Sequence, residues 1–287
     1  MPLNGDINIR DPFVLCENGK YYLYGTRAAN FGTGVNGFDV YISEDLQHWS
    51  EPAECFGSDL YGLNTDVNWA PEVHKYNGAY YMFATFTKPD GLRGTYILKA
   101  DRPAGPFYPH SDGAVTPDGW ECLDGTFYVE NGTPYIVFCH EHTQITDGSI
   151  CFAELDSELK KTVGEPQLLF HGSSPYYIEK KPEGEHYITD GPFMFRTKSD
   201  TLLMIWSTFI DGKYAECLVR FTDGSIQGGF EHLEPLVDSD GGHGMIFKDF
   251  NGKLYLTYHT PNQTDFERPN FAELNDLGER IAVVERK

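Results

Sequence analysis

One short pattern recurs five times along the chain, and it limits the possible folds more than any other feature. Each copy has two apolar runs separated by a turn signal, at residues 11–26, 70–85, 124–138, 190–206 and 243–257. The turn is Asn-Gly in four copies, at 18–19, 77–78, 131–132 and 251–252, and Ser-Asp at 199–200 in the remaining copy. Asn and Gly both tolerate the positive φ angles of a type I′ turn, whose twist matches the flanking strands. The pattern therefore predicts five equivalent β-hairpins.

The spacing of the hairpins indicates how they are assembled. Counted between Asp11, Glu72, Asp124, Asp190 and His243, the steps are 61, 52, 66 and 53 residues. A step of this length suits one four-stranded propeller blade, and apolar runs at 40–42, 96–100, 150–153 and 215–219 can supply further strands. Aromatic residues make up 15% of the chain, which is typical of sheet proteins. We predict an all-β fold, a five-bladed β-propeller forming a single domain over residues 1–287. Two stacked β-sandwiches are the alternative, but they would not explain equivalent hairpins.

Charge and cysteine content restrict the partners. With 22 Lys and Arg against 43 Asp and Glu, the net charge is −21. Nucleic acids and anionic membranes are therefore excluded as partners, because both bind through Lys and Arg. The six cysteines have no C-x-x-C spacing and lie partly in apolar runs, so they are expected to be core thiols rather than disulfides or zinc ligands. Together with an N-terminus that lacks a secretory signal, they favour a cytoplasmic location.

The first residues of the hairpins are expected to meet around one funnel, because the innermost strand of every blade begins at the same end of the central channel. This set comprises Asp11, Glu72, Asp124, Asp190 and His243, joined from the ends of second strands by Thr26, Thr85, Glu141 and Ser207. Clustered carboxylates raise one another's pKa values, and such a cluster is typical of a site where chemistry or a cation requires it. For a single Asp, a structural role at the start of a strand stays open.

The segments around these positions resemble the blade motifs of glycoside hydrolase family 43. They read RDPF at 10–13, WAPEV at 69–73, LDGTF at 123–127, TDGPF at 189–193 and GGHGM at 241–245, in the order found in that family. The resemblance extends over nearly the whole chain. It implies an inverting glycoside hydrolase on a five-bladed propeller, acting mainly on α-L-arabinofuranosides or β-D-xylosides.

The resemblance also implies roles for single residues. Asp11 matches the general base, which activates water opposite the leaving group, and Asp124 matches the carboxylate that tunes the acid. Asp190 occupies the place of the general acid, although the family motif has Glu there. Glu141 is the alternative acid, and a site that binds sugar without turnover is the third possibility. At His243 the family holds a hydrated cation, so one water-held calcium ion in the channel is expected.

Sugar binding requires flat apolar surfaces and fixed polar groups. Trp69 and Phe31 are predicted to stack on sugar rings, with Trp206 or Phe86 as further candidates, while Arg27 and Gln144 are predicted to contact hydroxyls and Glu72 to lie at the rim. For each aromatic residue the alternative is a place in the propeller core. The expected activity is that of an exo-α-L-arabinofuranosidase on short oligosaccharides. An endo-arabinanase, a β-xylosidase, a retaining sucrose-type enzyme and a non-catalytic carbohydrate-binding propeller are the alternatives.

Overall fold

Five four-stranded antiparallel sheets form the molecule. The computed structural model describes residues 1–28, 36–63 and 67–284. Blade 1 contains β1 (Ile9–Glu17), β2 (Lys20–Arg27), β3 (Phe38–Ser43) and β4 (Ala53–Phe56). Blade 2 contains β5 (Asn68–Tyr76), β6 (Ala79–Thr87), β7 (Arg93–Ala100) and β8 (Tyr108–Pro109). Blade 3 contains β9 (Cys122–Glu130), β10 (Thr133–His140), β11 (Ser149–Leu155) and β12 (Thr162–His171).

The other two blades complete the circle. Blade 4 contains β13 (Asp190–Arg196), β14 (Leu202–Ile210), β15 (Lys213–Phe221) and β16 (Phe230–Val237), and blade 5 contains β17 (Gly242–Lys248), β18 (Leu254–Thr260), β19 (Arg268–Asp276) and β20 (Ile281–Val283). A short helix α1 (His142–Ile145) follows β10, and 3₁₀ turns occupy Asn4–Asp6 and Ser58–Tyr61. The first strands of the blades contact one another in a closed ring, β1 to β5, β9, β13, β17 and back to β1. The predicted single-domain, five-bladed β-propeller is confirmed.

The hairpin turns agree only in part with the prediction. Asn18-Gly19, Asn77-Gly78 and Asn131-Gly132 have positive φ at both residues, as a type I′ turn requires. In the fifth hairpin only Gly252 of the Asn-Gly pair has positive φ, and its N–H donates to the carbonyl of Asp249. The fourth hairpin has the same longer turn, with Asp200 at the positive-φ position and bonded to the carbonyl of Thr197. Blades 4 and 5 therefore share a second turn type.

Each first strand also contains one irregular residue near its start. There the pairing register with the second strand shifts and one residue takes a positive φ; these axis positions are Asp11, Ala70, Asp124, Gly191 and His243. The five residues used to count the repeat are therefore not all at equivalent positions. Asp190 lies one residue before the axis position of its blade, and Glu72 lies two residues after it. The cause is the bulge, which inserts residues that hydrophobic periodicity alone does not reveal.

Hydrogen bonds from the axis positions join neighbouring blades. The N–H of Ala70 donates to Thr26 Oγ1 (2.7 Å), that of Asp124 to Thr85 Oγ1 (3.0 Å), and that of His243 to Ser207 Oγ (2.7 Å). The hydroxyls predicted at the rim from second-strand ends are therefore acceptors for the next blade. A buried donor left without such an acceptor would cost about 1–3 kcal/mol.

Apolar side chains fill the space between the sheets. Cys55, Cys122, Cys139, Cys151 and Cys217 are buried, Cys16 is partly buried, and all six are free thiols, as predicted. Among the described residues, the helices are too short and too polar to pass through a lipid bilayer.

Candidate active site

A cavity of about 350 Å³ opens where the five first strands begin. It is lined by Arg10, Asp11, Trp69, Arg93, Leu123, Asp124, Glu141, His142, Ile188, Asp190, Phe209, Tyr214, His243, Asn262 and Thr264. The structure therefore brings together four of the five carboxylates singled out in the sequence, Asp11, Asp124, Glu141 and Asp190, with His243 and Trp69 beside them. These residues come from blades that are far apart along the chain, and the propeller is what makes them neighbours.

Two consecutive positions of each first strand contribute to the cavity. The axis positions supply Asp11, Asp124 and His243. The residues immediately before them, which we call the cavity positions, are Arg10, Trp69, Leu123, Asp190 and Gly242, and all but Gly242 line the cavity. Because successive residues of a strand point in different directions, Asp190 approaches the cavity from another direction than Asp11 and Asp124.

Asp11 is held by donors on several sides and is only 8% exposed. Its Oδ2 accepts the Thr26 hydroxyl at 2.6 Å, and its Oδ1 lies 3.1 Å from His243 Nδ1. Its N–H donates to Nδ1 of His259 at 3.2 Å. Burial alone would raise the pKa of Asp11, but the charges of His243 and Arg10 and the Thr26 bond outweigh it, and the pKa lies below its ordinary value. Asp11 is therefore a carboxylate at neutral pH.

Asp124 and Asp190 have the opposite character. Burial, helped by the nearby carboxylates of Asp190 and Asp11, raises the pKa of Asp124 to about 8, although His243 opposes the shift. Burial also raises the pKa of Asp190, while His243 and the hydroxyl of Tyr214, which donates to Asp190 Oδ2 at 2.9 Å, oppose it. The N–H of Gly191 donates to Asp124 Oδ2 at 3.1 Å, so the two carboxyls are linked through one peptide. The pair favours retaining a proton at neutral pH.

His243 supplies positive charge at the centre of the carboxylates. Burial alone would lower its pKa, but Asp11, Asp124, Asp190 and Glu216 raise it to about 9. Its Nδ1 faces Asp11 at 3.1 Å and Asp124 Oδ2 at 3.9 Å. The imidazolium therefore offsets part of the negative charge of the site.

These contacts bear on the predicted calcium ion. One nitrogen of His243 is directed at a carboxylate, and the charged ring would repel a cation. Within residues 1–28, 36–63 and 67–284, no group of three or more His, Cys, Asp or Glu side chains is arranged to hold a metal. The side chains present do not fit a directly bound calcium ion. A water-held ion stays a prediction, and no step below depends on it.

Glu141 reaches the cavity from the N-terminus of α1 and is 3% exposed. Its Oε1 accepts the N–H of His142 at 2.9 Å and lies 3.2 Å from His142 Nε2, while its Oε2 lies 3.0 Å from Nη2 of Arg93. Burial and Asp190 raise the pKa of Glu141 to about 7 against the influence of Arg93. Both oxygens of Glu141 therefore have fixed partners, whereas among the described residues only Oδ2 of Asp190 accepts a hydrogen bond.

Trp69 lines the cavity, with the guanidinium of Arg93 5.4 Å from its ring. Two other predicted sugar contacts lie elsewhere. Trp206 is fully buried between blades and packs against Phe170 at 5.2 Å, so the core alternative applies to it. Gln144 is outside the cavity lining, because its side-chain oxygen accepts the N–H of Glu121 at 2.8 Å and its amide donates to the protein backbone.

Four further expectations are corrected or lie outside the described residues. Arg27 is absent from the cavity lining and pairs with Asp39 at 2.6 Å and Glu54 at 3.1 Å. Glu72 is absent from the cavity lining, since it lies two residues after the axis position Ala70, and its carboxylate accepts the hydroxyl of Thr126 at 2.6 Å. Phe31 lies outside the described residues. Phe86, the other stacking candidate, is fully buried.

Sequence reasoning missed several groups around the carboxylates. Tyr214 and Arg93 lie at the start of third strands, where the repeat pattern carries no marker. His259 could have been found: it lies 16 residues after His243, as Ser207 lies 16 residues after Gly191. Burial lowers the pKa of His259 to about 3, so its neutral Nδ1 can accept the N–H of Asp11.

Comparison with known proteins identifies the architecture and the family. Residues 5–280 match the sequence profile of Glycosyl hydrolases family 43. The crystal structure of an endo-arabinase from Bacteroides thetaiotaomicron VPI-5482 is 36% identical, with a TM-score of 0.84 over 99% of this chain and 97% of that one. An endo-1,4-beta-xylanase from the same organism is 19% identical, with a TM-score of 0.81 over 99% and 96% of the two chains.

An alpha-L-arabinofuranosidase from Lactobacillus brevis is 15% identical, with a TM-score of 0.72 over 97% and 96% of the two chains. At these lower identities, the xylanase and the arabinofuranosidase indicate a shared fold alone. The profile match spans almost the whole propeller and includes all five axis positions. The chain belongs to glycoside hydrolase family 43 and is an inverting glycoside hydrolase.

Proposed function

We propose that this enzyme removes terminal α-L-arabinofuranosyl residues from short plant-derived oligosaccharides. The observation that carries the proposal is the cavity itself, about 350 Å³ in volume and lined by four carboxyl groups with two different protonation preferences. This volume is near the lower end of the range for ligand pockets, which suits one or two sugar rings better than a long polymer. The 36% identity to a structure described as an endo-arabinase supports arabinose as the sugar.

Asp11 is the proposed general base. An inverting enzyme needs one carboxylate that deprotonates a water molecule on the face opposite the leaving group. The donors around Asp11 keep it ionised, and Oδ2 is held at 2.6 Å by Thr26, which fixes the direction of the carboxylate. Asp11 is therefore ready to accept a proton when the C–O bond breaks.

Asp190 is the proposed general acid. It must hold a proton near neutral pH and deliver it to the departing oxygen. Burial, helped by the carboxylate of Asp11, raises its pKa and so meets the first need, and the N–H of Gly191 links Asp190 to Asp124. Tyr214 engages Oδ2, which leaves Oδ1 to face the leaving group. The proton then passes from Asp190 to the leaving oxygen while Asp11 takes one from water.

Glu141 is the competing candidate for the acid, because it lines the same cavity and its pKa is raised to about 7. We assign it instead to holding Arg93 and His142 in the cavity wall, since both of its oxygens already have donors. Arg93 in turn lies over the ring of Trp69, so this network shapes the proposed sugar-stacking surface.

Leaving-group chemistry separates these roles. Asp11→Ala, Asp190→Ala and Glu141→Ala would be assayed on 4-nitrophenyl α-L-arabinofuranoside and on α-1,5-linked arabino-oligosaccharides. Loss of the base should reduce both rates by about 10²–10⁴-fold, whereas loss of the acid should spare the nitrophenyl substrate, which needs little protonation to depart. Glu183→Ala, an exposed carboxylate outside the cavity, is the control. The assignment is wrong if Glu141→Ala shows the acid pattern and Asp190→Ala stays nearly active.

Endo-arabinanase activity is the second candidate, and the 36% identity to the endo-arabinase structure favours it. Product analysis on linear arabinan distinguishes the two. Arabinose as the first product, from one end of the chain, agrees with the exo proposal. A mixture of longer oligosaccharides at early times would show internal cleavage, and release of xylose but not arabinose from aryl glycosides would replace both.

A further inference from the structure

Glu216 is a buried carboxyl that the proposed reaction does not use. It lies on β15 in blade 4, is 0% exposed, and is not part of the cavity lining. Its Oε1 is buried without a hydrogen-bond partner among the described residues. Placing a carboxyl in such surroundings is costly unless it serves another group, so its neighbours need explanation.

The neighbours of Glu216 lead directly to His243. Oε2 of Glu216 accepts the N–H of Gly244 at 2.8 Å and the hydroxyl of Ser207 at 3.3 Å. Oγ of Ser207 accepts the N–H of His243 at 2.7 Å. Two successive N–H groups of the bulge that carries His243 thus end on Ser207 and Glu216.

Blade 2 solves the same structural problem without a carboxyl. There Oγ1 of Thr85 accepts the N–H of Asp124 at 3.0 Å, and Oγ1 of Thr95 accepts the N–H of Gly125 at 3.1 Å. Thr95 is paired with Thr85 across the sheet, just as Glu216 is paired with Ser207. A buried hydroxyl is therefore sufficient to bind the second N–H of an axis bulge, and Glu216 must supply something more.

The difference between the two blades lies in the side chain at the axis. The bulge bound by Thr95 carries the carboxyl of Asp124, whereas the bulge bound by Glu216 carries the imidazole of His243. The carboxyl groups of Asp11, Asp124, Asp190 and Glu216 all favour the charged form of that imidazole, and the neutral His259 ring lies 6.5 Å away. Burial raises the pKa of Glu216 itself to about 8, although His243 and the Gly244 N–H oppose the shift. The carboxyl group of Glu216 lies where it can favour the imidazolium of His243, whereas the hydroxyl of Thr95 lies where a carboxylate would repel that of Asp124.

Close packing makes this arrangement specific. A Cβ added to Gly244 would lie 2.6 Å from the carbonyl oxygen of Thr257 and 2.8 Å from Oε2 of Glu216. Thr257 and Glu216 therefore approach this backbone so closely that only glycine fits, which limits the conformations open to the bulge that carries His243.

We propose that Glu216 is a positioning residue that, through its carboxyl group, orients His243 and keeps it charged beside Asp11. The kinetic part of this inference rests on the proposed function, because it treats Asp11 as the base. The predicted effect on the pKa of His243 depends only on the folded protein and not on which substrate the enzyme takes.

The matched substitutions are Glu216→Thr, which copies the neutral acceptor of blade 2, and Glu216→Gln, which keeps the shape. The imidazole of His243 would be titrated by NMR in the intact protein, and kcat, KM and melting temperature would be measured alongside. His243 titrates near pH 9, where Glu216, with a pKa that burial raises to about 8, is mostly ionised. Removing the carboxyl group should therefore lower the pKa of His243 by roughly one unit. With a misdirected His243, kcat should fall about 10-fold or more while KM changes little, since misplacement by about 1 Å can cost up to ~10²-fold.

The outcomes are distinguishable. A lowered His243 pKa in folded Glu216→Thr or Glu216→Gln supports the inference, even if the enzyme acts on none of the arabinosides. An unchanged pKa together with unchanged kcat in either folded variant overturns it, because Glu216 would then only satisfy the Gly244 N–H. If Glu216→Thr does not fold, Glu216→Gln alone decides. Thr95→Ser, in the corresponding place of blade 2, should leave the His243 titration unchanged.

Discussion

Blades 1, 3 and 5 place ionisable side chains at their axis positions, whereas blades 2 and 4 place Ala70 and Gly191 there. The small residues make room for the large ones. A Cβ on Gly191 would lie 2.6 Å from Cδ2 of His243, so blade 4 must lack a side chain where blade 5 has its imidazole. Blades 2 and 4 contribute instead from their cavity positions, with Trp69 and Asp190.

This contrast shows how a fivefold scaffold supports an asymmetric reaction. Five ionisable groups at the axis would repel or crowd one another, while three leave the imidazolium of His243 between two carboxyls. The proposed acid, Asp190, is kept off the axis on the neighbouring position, where its surroundings differ from those of Asp11. Asp11, on its axis position, has a lowered pKa, and Asp190, on its cavity position, has a raised one.

The largest effect should come from filling the empty axis position of blade 4. In Gly191→Ala the new methyl group meets the His243 ring, and the positive φ of 47° adds backbone strain. We expect kcat to fall by about 10²-fold as His243 and the Gly191–Asp124 bond shift, with a lower melting temperature. Steady-state kinetics and thermal unfolding measure both.

Ala70 provides the matched control, since it has the same φ of 47° in blade 2. Ala70→Gly relieves strain there and removes no functional group, so stability should stay the same or rise by up to about 1 kcal/mol with unchanged kcat. Equal losses in both variants would mean that the axis positions matter only for folding.

A smaller effect is expected from the hydroxyls between the blades. Thr26 accepts the N–H of Ala70 and donates to Asp11, while Thr85 accepts the N–H of Asp124. Thr26→Val and Thr85→Val should each cost about 1–3 kcal/mol of stability. Only Thr26→Val should also raise the pKa of Asp11, moving the acidic limb of the kcat/KM profile upward and lowering kcat about tenfold. Identical pH profiles for the two variants would contradict the role given to Asp11.

The buried charges at the axis should also make stability depend on pH. The pKa of Asp124 is raised from 3.8 to about 8. The folded protein therefore favours the protonated form of Asp124, and this stabilising contribution is lost as the pH rises through this range. The pKa of His243 is raised from 6.5 to about 9, and its stabilising contribution is lost over that interval. Between pH 6.5 and 8 both act in one direction, and between pH 8 and 9 His243 continues alone. Over the whole range the melting temperature should fall by roughly 5 °C.

Asp124→Asn tests this origin. It removes one of the groups that titrate in this range, so its melting temperature should vary less with pH, as followed by differential scanning fluorimetry. A wild-type melting temperature that stays constant from pH 6.5 to 9 would contradict the raised pKa values of Asp124 and His243. Asp11, with its lowered pKa, titrates below this window and does not contribute.

The fold could be predicted because its signal is local and repeated. Two apolar runs and a turn signal predict each hairpin, and the first three Asn-Gly turns adopt the expected conformation. The bulges could not be predicted, since a single inserted residue such as Ala70 or Gly191 leaves no mark in the hydrophobic pattern. For this reason the prediction that Glu72 lies at the rim was wrong: it is absent from the cavity lining and bonds Thr126.

The site was predictable where function depends on the start of a hairpin. Asp11, Asp124 and His243 follow from the repeat, and Asp190 from the motif that surrounds it. The predicted sugar contacts of Arg27, Gln144 and Trp206 were wrong, because these side chains make ion pairs, bond backbone groups or pack in the core. Such contacts depend on residues that are distant in the sequence. Arg93 and Tyr214 were missed for the same reason: each gains its role only when third strands are packed beside the cavity.

The smallest effect should come from Tyr214, which acts on the cavity position alone. Tyr214→Phe keeps the ring packed at 5.5 Å from His259 and removes the bond to Asp190 Oδ2. Because that bond stabilises the ionised carboxylate, its loss should raise the pKa of Asp190 further and move the alkaline limb of kcat/KM upward by roughly one unit. Near neutral pH kcat should change only about threefold, since the acid is already protonated. An alkaline limb that stays in place here but moves in Glu141→Gln would transfer the acid role to Glu141, and the division of labour between axis and cavity positions would then fail.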